Sequence, residues 1–259
     1  MRRLIADFIL LKWLKNRFKD LYKSYEEKKF SDKLKLIEEL LSFKIKNKDY
    51  YLKAITHRSI LESRPELKKS NERLEFLGDA VLGMVVAEFL FEKFSEEGEG
   101  QLTKYRSHLV KKETLADIAD KMDLKSIIIF DKRFIRSYKE GIKTITADAL
   151  EAIIGAIYLD LGLTRAKEFI YKWIIQPNFQ SGKYQEDTNY KGQLLELTHA
   201  KNLTPPSYEI VEEIGPEHDK IFAAKVQIED KISAIGEGKN KKNAEQEAAR
   251  KALEILKSL

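Results

Sequence analysis

The sequence predicts an all-α segment followed by a small α+β unit of order α-β-β-β-α. Three observations carry this. Apolar residues recur at intervals of three and four almost throughout residues 33–176, the period of helices with one buried face. From Tyr208 onward the pattern changes to short alternating runs between two helical stretches, which is the mark of half-buried strands. Between the two lies Pro177-Asn178-Phe179-Gln180-Ser181-Gly182, a cluster of turn formers that reads as a boundary.

The elements follow in order. A first helical stripe runs through Leu34, Ile37, Leu40 and Leu41, and another through Leu74, Leu77, Val81 and Val85. A further apolar helix extends from Thr144 to about Asp160. Punctuation falls at Arg64-Pro65, at Glu97-Gly98-Glu99-Gly100 and near Gly141. After the boundary come a helix over about 188–201 and strands at Tyr208–Val211, Phe222–Ile228 and Ile232–Gly236. An alanine- and lysine-rich helix over about 241–257 closes the chain. The expected division is 1–30 as a basic amphipathic extension, 31–176 as the helical domain, 177–186 as a linker and 187–259 as the α+β domain.

Composition narrows the chemistry. The 259 residues are 43% apolar and 34% charged, enough for a real core beneath a highly charged surface. The absence of cysteine excludes disulfides and thiolate metal sites, and four histidines weigh against a His-rich zinc site. Nothing approaches the roughly 18 uninterrupted apolar residues of a membrane-spanning helix. Arg2 and Arg3 precede an apolar stretch as in a signal peptide, but Asp7 and Lys12 interrupt it and no small-residue cleavage site follows. These features predict a soluble, cytoplasmic protein with no stable membrane insertion.

The formal charge of +5 is concentrated. Residues 1–30 carry nine Lys/Arg against four Asp/Glu, residues 31–186 carry 27 against 25, and residues 187–259 carry 11 against 13. A nucleic-acid footprint must therefore lie in local clusters. In the extension, Leu4, Phe8, Leu11, Leu14, Phe18 and Leu21 form a helical stripe beside Lys12, Lys15, Arg17 and Lys19. Such a helix can lie on a membrane surface; packing against the helical domain is the preferred reading.

One segment is physically odd. Glu72, Glu75 and Asp79 are spaced by three and four, so they stack on one helical stripe, where like charges cost about 0.2–0.5 kcal/mol per pair. Asp148 and Glu151 repeat the theme among Leu150, Ile153, Ile154 and Ile157. Acids on a largely buried helix need a partner or are driven neutral. Structural salt bridges to Arg73, Arg106 and nearby lysines are one solution. The other is a hard divalent cation, the natural partner of a carboxylate set lacking Cys and His. Four converging carboxylates can hold one or two Mg²⁺, activate water and neutralise a scissile phosphate.

Asn71-Glu72-Arg73-Leu74-Glu75-Phe76-Leu77-Gly78-Asp79-Ala80-Val81-Leu82 resembles the signature of the ribonuclease III family, without gaps. Thr56-His57-Arg58-Ser59, Gly100-Gln101-Leu102-Thr103 with Arg106, Leu109-Val110 and Ala147-Asp148-Ala149-Leu150-Glu151-Ala152 fall in family order, so the likeness spans roughly 33–258. The resemblance implies that Asp79 and Glu151 are catalytic. It implies that Glu75, Asp148, Glu151 and Asp79 bind metal, with Glu72 as an accessory acid. It implies that Phe76 plugs a partner subunit across a two-fold axis. Gly78 costs about 1 kcal/mol against Ala in a helix, and close helix approach at that dimer contact would explain it. One departure concerns 131–143, where the family's Ser-Gly-Gly loop is replaced by a stretch with five Lys/Arg. His57 is read as a structural histidine, and His108 and His199 as helix-surface residues.

The C-terminal unit resembles a double-stranded-RNA-binding domain. Asn189 through Glu196 match its first helix, Gly215-Pro216-Glu217-His218 its strand-connecting loop, and Lys239 through Glu245 the start of its last helix. The resemblance implies RNA contacts at Glu196, Pro216, His218, Lys239, Lys241 and Lys242. Lysines beside the free N–H groups of a helix start make a phosphate grip. Departures are Gly192, Leu195 and Asn240, where Thr, Gln and Ser are common. Together the two likenesses imply a homodimeric endoribonuclease that cuts double-stranded RNA with Mg²⁺, or Mn²⁺ in its place, and two ions per site during cleavage. The products would carry 5′-phosphate and 3′-hydroxyl ends, and the substrates would be ribosomal RNA precursors and other structured transcripts. The alternative is a catalytically silent, dimeric RNA-binding scaffold.

Overall fold

The computed structural model describes residues 28, 30–131, 133, 138–182, 184, 189–216, 220–229 and 231–258. The amphipathic stripe of the extension, most of the expected basic loop, and Glu217 and His218 lie outside them. The chain forms two compact units that divide between Gln185 and Glu186.

The first unit is helical. Helix α1 covers 30–41 and buries Leu34, Ile37 and Leu41. It is followed by α2 (Lys48–Ala54), α3 (Glu72–Lys93), α4 (Glu99–Val110), α5 (Lys112–Lys121), α6 (Leu124–Ile127), α7 (Tyr138–Leu161) and α8 (Leu163–Ile170). Helix α7 is the central element. Ala147, Ala149, Leu150, Ala152, Ile153, Ile154, Ala156 and Ile157 are all buried, so small residues alternate with branched ones around nearly its whole girth. Helices α2, α3, α5 and α8 pack around it.

The contact between α3 and α7 is made by main chain. A β-carbon on Gly78 would stand 1.7 Å from the Glu151 carbonyl oxygen, and one on Gly155 would stand 2.3 Å from that of Leu74. This corrects the expectation for Gly78: the close approach that requires it is to α7 of the same chain, not to a partner subunit. At the far end of α7, the Asp160 carboxylate accepts the Lys46 and Asn47 amides, both at 2.8 Å. Those are free donors before α2, so α7 is tied to the start of α2.

A π-helical turn (Tyr171–Ile175) leads from α8 into α9 (Gln176–Gln180). Pro177 through Gln180, expected to begin a linker, are therefore helical. Proline fits a first helical turn because no N–H is needed there. Asn178 is buried and its Nδ2 donates to the Ile174 carbonyl at 2.6 Å. Phe179 meets Phe89 edge-on at 5.0 Å and stacks on Tyr184 at 4.1 Å between ring centroids.

The second unit is α10 (Tyr190–Ala200), β1 (Ser207–Ile214), β2 (Ile221–Ile228), β3 (Ile232–Gly238) and α11 (Lys241–Ser258). The sheet is antiparallel in order β1-β2-β3, with a register shift between Ile210 and Glu212. The alternation of β3, with Ile232 and Ala234 buried between exposed neighbours, is the period of a one-sided sheet. Leu194, Val226, Ile228, Ala248, Ala249, Ala252 and Leu253 form its core.

Candidate active site

Helices α3 and α7 bring the acids together. Glu75 and Asp79 sit one turn apart on α3, and Asp148 and Glu151 one turn apart on α7, as spacings of four and three dictate. Because Gly78 presses on the main chain of Glu151, the two pairs face each other across backbone with no side-chain layer between. Ligand oxygens of Glu75, Asp148 and Glu151 lie within 4.8 Å of one another. Asp79 stands outside that triad but lines the same open cleft of about 630 Å³, with His57, Asn71, Lys112 and Thr144. Glu72 lines the cleft as well, where it is paired with Arg58 (3.2 Å) and accepts from the Ser70 hydroxyl (2.8 Å).

The crowding shows in protonation. Burial, reinforced by Asp79, Asp148 and Glu75, pushes the Glu151 carboxyl up to about 7. Burial and Asp148 also raise Glu75. Salt bridges from Arg73, Arg106 and nearby lysines were the competing expectation for these acids, and one lysine bridge does form. Arg106 instead lines a separate pocket with Glu88, Glu97 and Glu99. The cation that reaches the cluster is Lys112, the first residue of α5, whose Nζ lies 2.6 Å from Asp148 Oδ1. The contact is a close ion pair that covers an Asp148 oxygen otherwise buried from solvent. Burial opposes the charge on Lys112, yet Asp148, Glu75 and Glu151 together raise its pKa.

Sequence reading missed the role of Lys112, since nothing periodic links it to Asp148. Asn71 was quoted only as part of the signature. Its N–H donates to the Thr56 carbonyl at 2.8 Å, its carbonyl accepts from Leu74 and Glu75, and its buried Nδ2 has no hydrogen-bond partner. His57, read as structural, does both jobs. Ser59 N–H donates to its Nδ1 at 3.2 Å, capping a short 3₁₀ turn, while the ring also borders the cleft. Burial and the Arg58 charge lower its pKa. Phe76 is 81% exposed on α3, and Met84 and Phe91 follow it at seven- to eight-residue spacing, both exposed.

In the second unit, Glu196, Pro216, Lys239, Lys241 and Lys242 are all exposed. Glu213 gathers Lys220 at 2.8 Å and Lys241 at 3.2 Å, which ties the β1–β2 turn carrying Pro216 to the first turn of α11. The Lys241 ammonium also lies 5.7 Å from the Phe222 ring centroid. Asn240 accepts the Asn243 amide at 2.8 Å through Oδ1, so the departure from Ser there preserves the N-cap. Gly192 leaves room for the Asn189 side chain, which accepts the Gly192 amide at 3.2 Å. A β-carbon there would stand 2.5 Å from Asn189 Nδ2. Leu195 is exposed beside Glu196.

Comparison with known proteins agrees with both halves. A family described as Ribonuclease-III-like matches residues 47–178, and the double-stranded RNA binding motif matches 190–256. Ribonuclease 3 of Carboxydothermus hydrogenoformans is 42% identical over 223 residues, covering 86% of this chain and 95% of that protein. Ribonuclease 3 of a Bacillus cereus strain is 36% identical over 241 residues, covering 91% and 98%. Among solved structures, the nuclease domain of ribonuclease III from Campylobacter jejuni superposes with a TM-score of 0.50 at 40% identity. It covers 57% of this chain and 99% of that one. With a helical domain carrying its acids on two packed helices, followed in sequence by an α-β-β-β-α domain, the chain belongs to the ribonuclease III family.

Proposed function

We propose that Glu75, Asp79, Asp148 and Glu151 hold Mg²⁺, with Mn²⁺ able to replace it and two ions engaged during cleavage. The chain is an endoribonuclease acting on double-stranded RNA, and the proposal concerns how it does so. The carrying observation is the triad of Glu75, Asp148 and Glu151, whose carboxylate oxygens lie within 4.8 Å of one another and whose crowding raises Glu75 and Glu151. A divalent ion would relieve that crowding, and an all-carboxylate donor set suits a hard cation. The family is metal-dependent, and the oxygen-only donor set favours Mg²⁺.

When bound, such ions would supply Lewis acidity at the phosphoryl group and ease deprotonation of the water that attacks it. The chain supplies the rest. Glu151, with a carboxyl near 7 before an ion binds, can exchange a proton with the site at neutral pH. Asp79 adds negative charge beside it. The Gly78–Glu151 contact fixes the separation of the two acid pairs. A water oxygen would bond to phosphorus after losing a proton, as the P–O3′ bond breaks and O3′ takes up a proton, leaving a 5′-phosphate and a 3′-hydroxyl.

Homodimerisation through Phe76 is part of the proposal, supported by its exposure and by the stripe it shares with Met84 and Phe91. The Campylobacter jejuni structure concerns a region involved in dimer formation. Two copies would set two acid clusters on opposite strands of one duplex. The exposed lysines of α11 would hold phosphates flanking the narrow major groove of A-form RNA. With selectivity resting on helix shape, ribosomal RNA precursors and other structured transcripts in the cytoplasm are the substrates we assign. No described helix is long and apolar enough to cross a membrane.

The test is a long plain RNA duplex incubated with Mg²⁺ or with EDTA. Wild type should cut only with Mg²⁺, and Glu151→Ala should bind the duplex but not cut it. Cleavage by the variant at wild-type rate in saturating Mg²⁺ removes Glu151 from the chemistry. Binding without cleavage by wild type would make the chain a silent scaffold.

A further inference from the structure

We infer that Lys112 is a built-in counter-cation that competes with divalent ions for the Asp148 carboxylate. The inference rests on the metal-binding reading above. Asp148 Oδ1 is buried, and the charge that faces it at 2.6 Å is the Lys112 ammonium. Magnesium binds carboxylate oxygen at about 2.0–2.1 Å and keeps a strict octahedral shell. An ammonium seated on that carboxylate blocks one approach to it and repels the ion.

The two partners differ in freedom. The Asp148 side chain is 14% exposed and stands on the central helix, whereas that of Lys112 is 51% exposed at the start of α5. Lysine carries its charge on a flexible four-carbon stem, so it can leave for solvent without disturbing the core. Asp148 cannot follow, because its neighbours Ala147, Ala149 and Leu150 are fully buried. In the absence of ions Lys112 neutralises part of a cluster that would otherwise repel itself. When ions enter, that neutralisation becomes a penalty on binding them. Lys112 is thus a positioning residue that sets the ion concentration at which the site fills.

The experiment is direct Mn²⁺ binding to the full chain without RNA, read by electron paramagnetic resonance of free Mn²⁺, for wild type, Lys112→Met and Lys112→Arg. Methionine keeps the bulk and removes the charge; arginine keeps the charge. Loss of a unit charge in contact with a ligand oxygen should tighten Mn²⁺ binding on the order of tenfold in the Met variant, with the Arg variant near wild type. Equal or weaker binding by Lys112→Met overturns the inference while leaving the metal reading intact. Tighter binding by Lys112→Arg would make bulk rather than charge the cause and also overturn it. No Mn²⁺ binding by wild type and Lys112→Met alike would sink both readings. Thermal melts confirm folding, and Lys112→Gln replaces the Met variant if that one does not fold.

Discussion

The carbonyl oxygen of Glu151 lies 1.7 Å from the point where a β-carbon on Gly78 would stand. One residue beyond Gly78 is Asp79, and the side chain of Glu151 itself points to the same cleft. The acid pairs are therefore placed by a backbone contact at the site itself.

Gly78→Ala tests this, because two effects pull in opposite directions. Alanine is better than glycine in a helix by about 1 kcal/mol, while overpacking of a tight contact costs about 1–3 kcal/mol or more. With backbone as the obstacle, the clash should win. The melting temperature should drop and cleavage of duplex RNA should fall with it. A variant more stable than wild type and fully active would show that the helices part freely.

The Glu151 carboxyl near 7 makes a pH prediction for the ion-free protein. An unfolded glutamate titrates near 4.3, so between roughly 4.3 and 7 the folded chain holds a proton that the unfolded chain has released. Stability must then fall as pH rises through that window and level off above it. Melts in EDTA from pH 5 to 8 should slope downward, with a shallower slope for Glu151→Gln. Matching slopes in the two proteins would remove Glu151 as the cause.

Phe76, 81% exposed, should anchor a self-complementary interface of the kind two-fold dimers use. Sedimentation should give a dimer for wild type. Phe76→Glu would bury two unpaired charges at that interface, a severe cost, and should give a monomer with native helix content. A fully active wild-type monomer at micromolar concentration rules the interface out.

For RNA affinity, the lysines of α11 should not be equivalent. Lys241 is already paired with Glu213, and must give up that partner to hold a phosphate. Lys242→Ala should therefore weaken duplex binding more than Lys241→Ala and reduce the salt slope by about one. Glu213→Gln should strengthen binding. Fluorescence anisotropy across a salt series measures all three, and an unchanged slope in Lys242→Ala would free that residue from phosphate contact.

Much of this was legible in the sequence because it is periodic. The stripe Glu72, Glu75 and Asp79, the apolar surround of Asp148 and Glu151, and the alternation in β3 all follow from helix and strand geometry. Contacts between distant segments carry no such period. Lys112 meets Asp148 only because α5 starts beside α7. The partner of Gly78 is main chain and leaves no side-chain signal. The start of the expected linker is helical because Phe179 finds Phe89 and Tyr184 to pack on, which overrides the turn preference of its neighbours.

The seam of Gly78 and Gly155 has a last consequence. Helices locked backbone to backbone have no side-chain cushion to compress, so the span between the two halves of the acid set is a constant of the fold. Accommodation of ionic radius or strand geometry then falls to carboxylate torsions, of which glutamate has one more than aspartate. Each helix offers one of each, Glu75 with Asp79 and Asp148 with Glu151, a supple acid beside a stiff one. Shortening Glu151 to Asp would open a gap of one methylene that no sliding of α7 could close. The distance each acid must reach across is set by two residues that have no side chain at all.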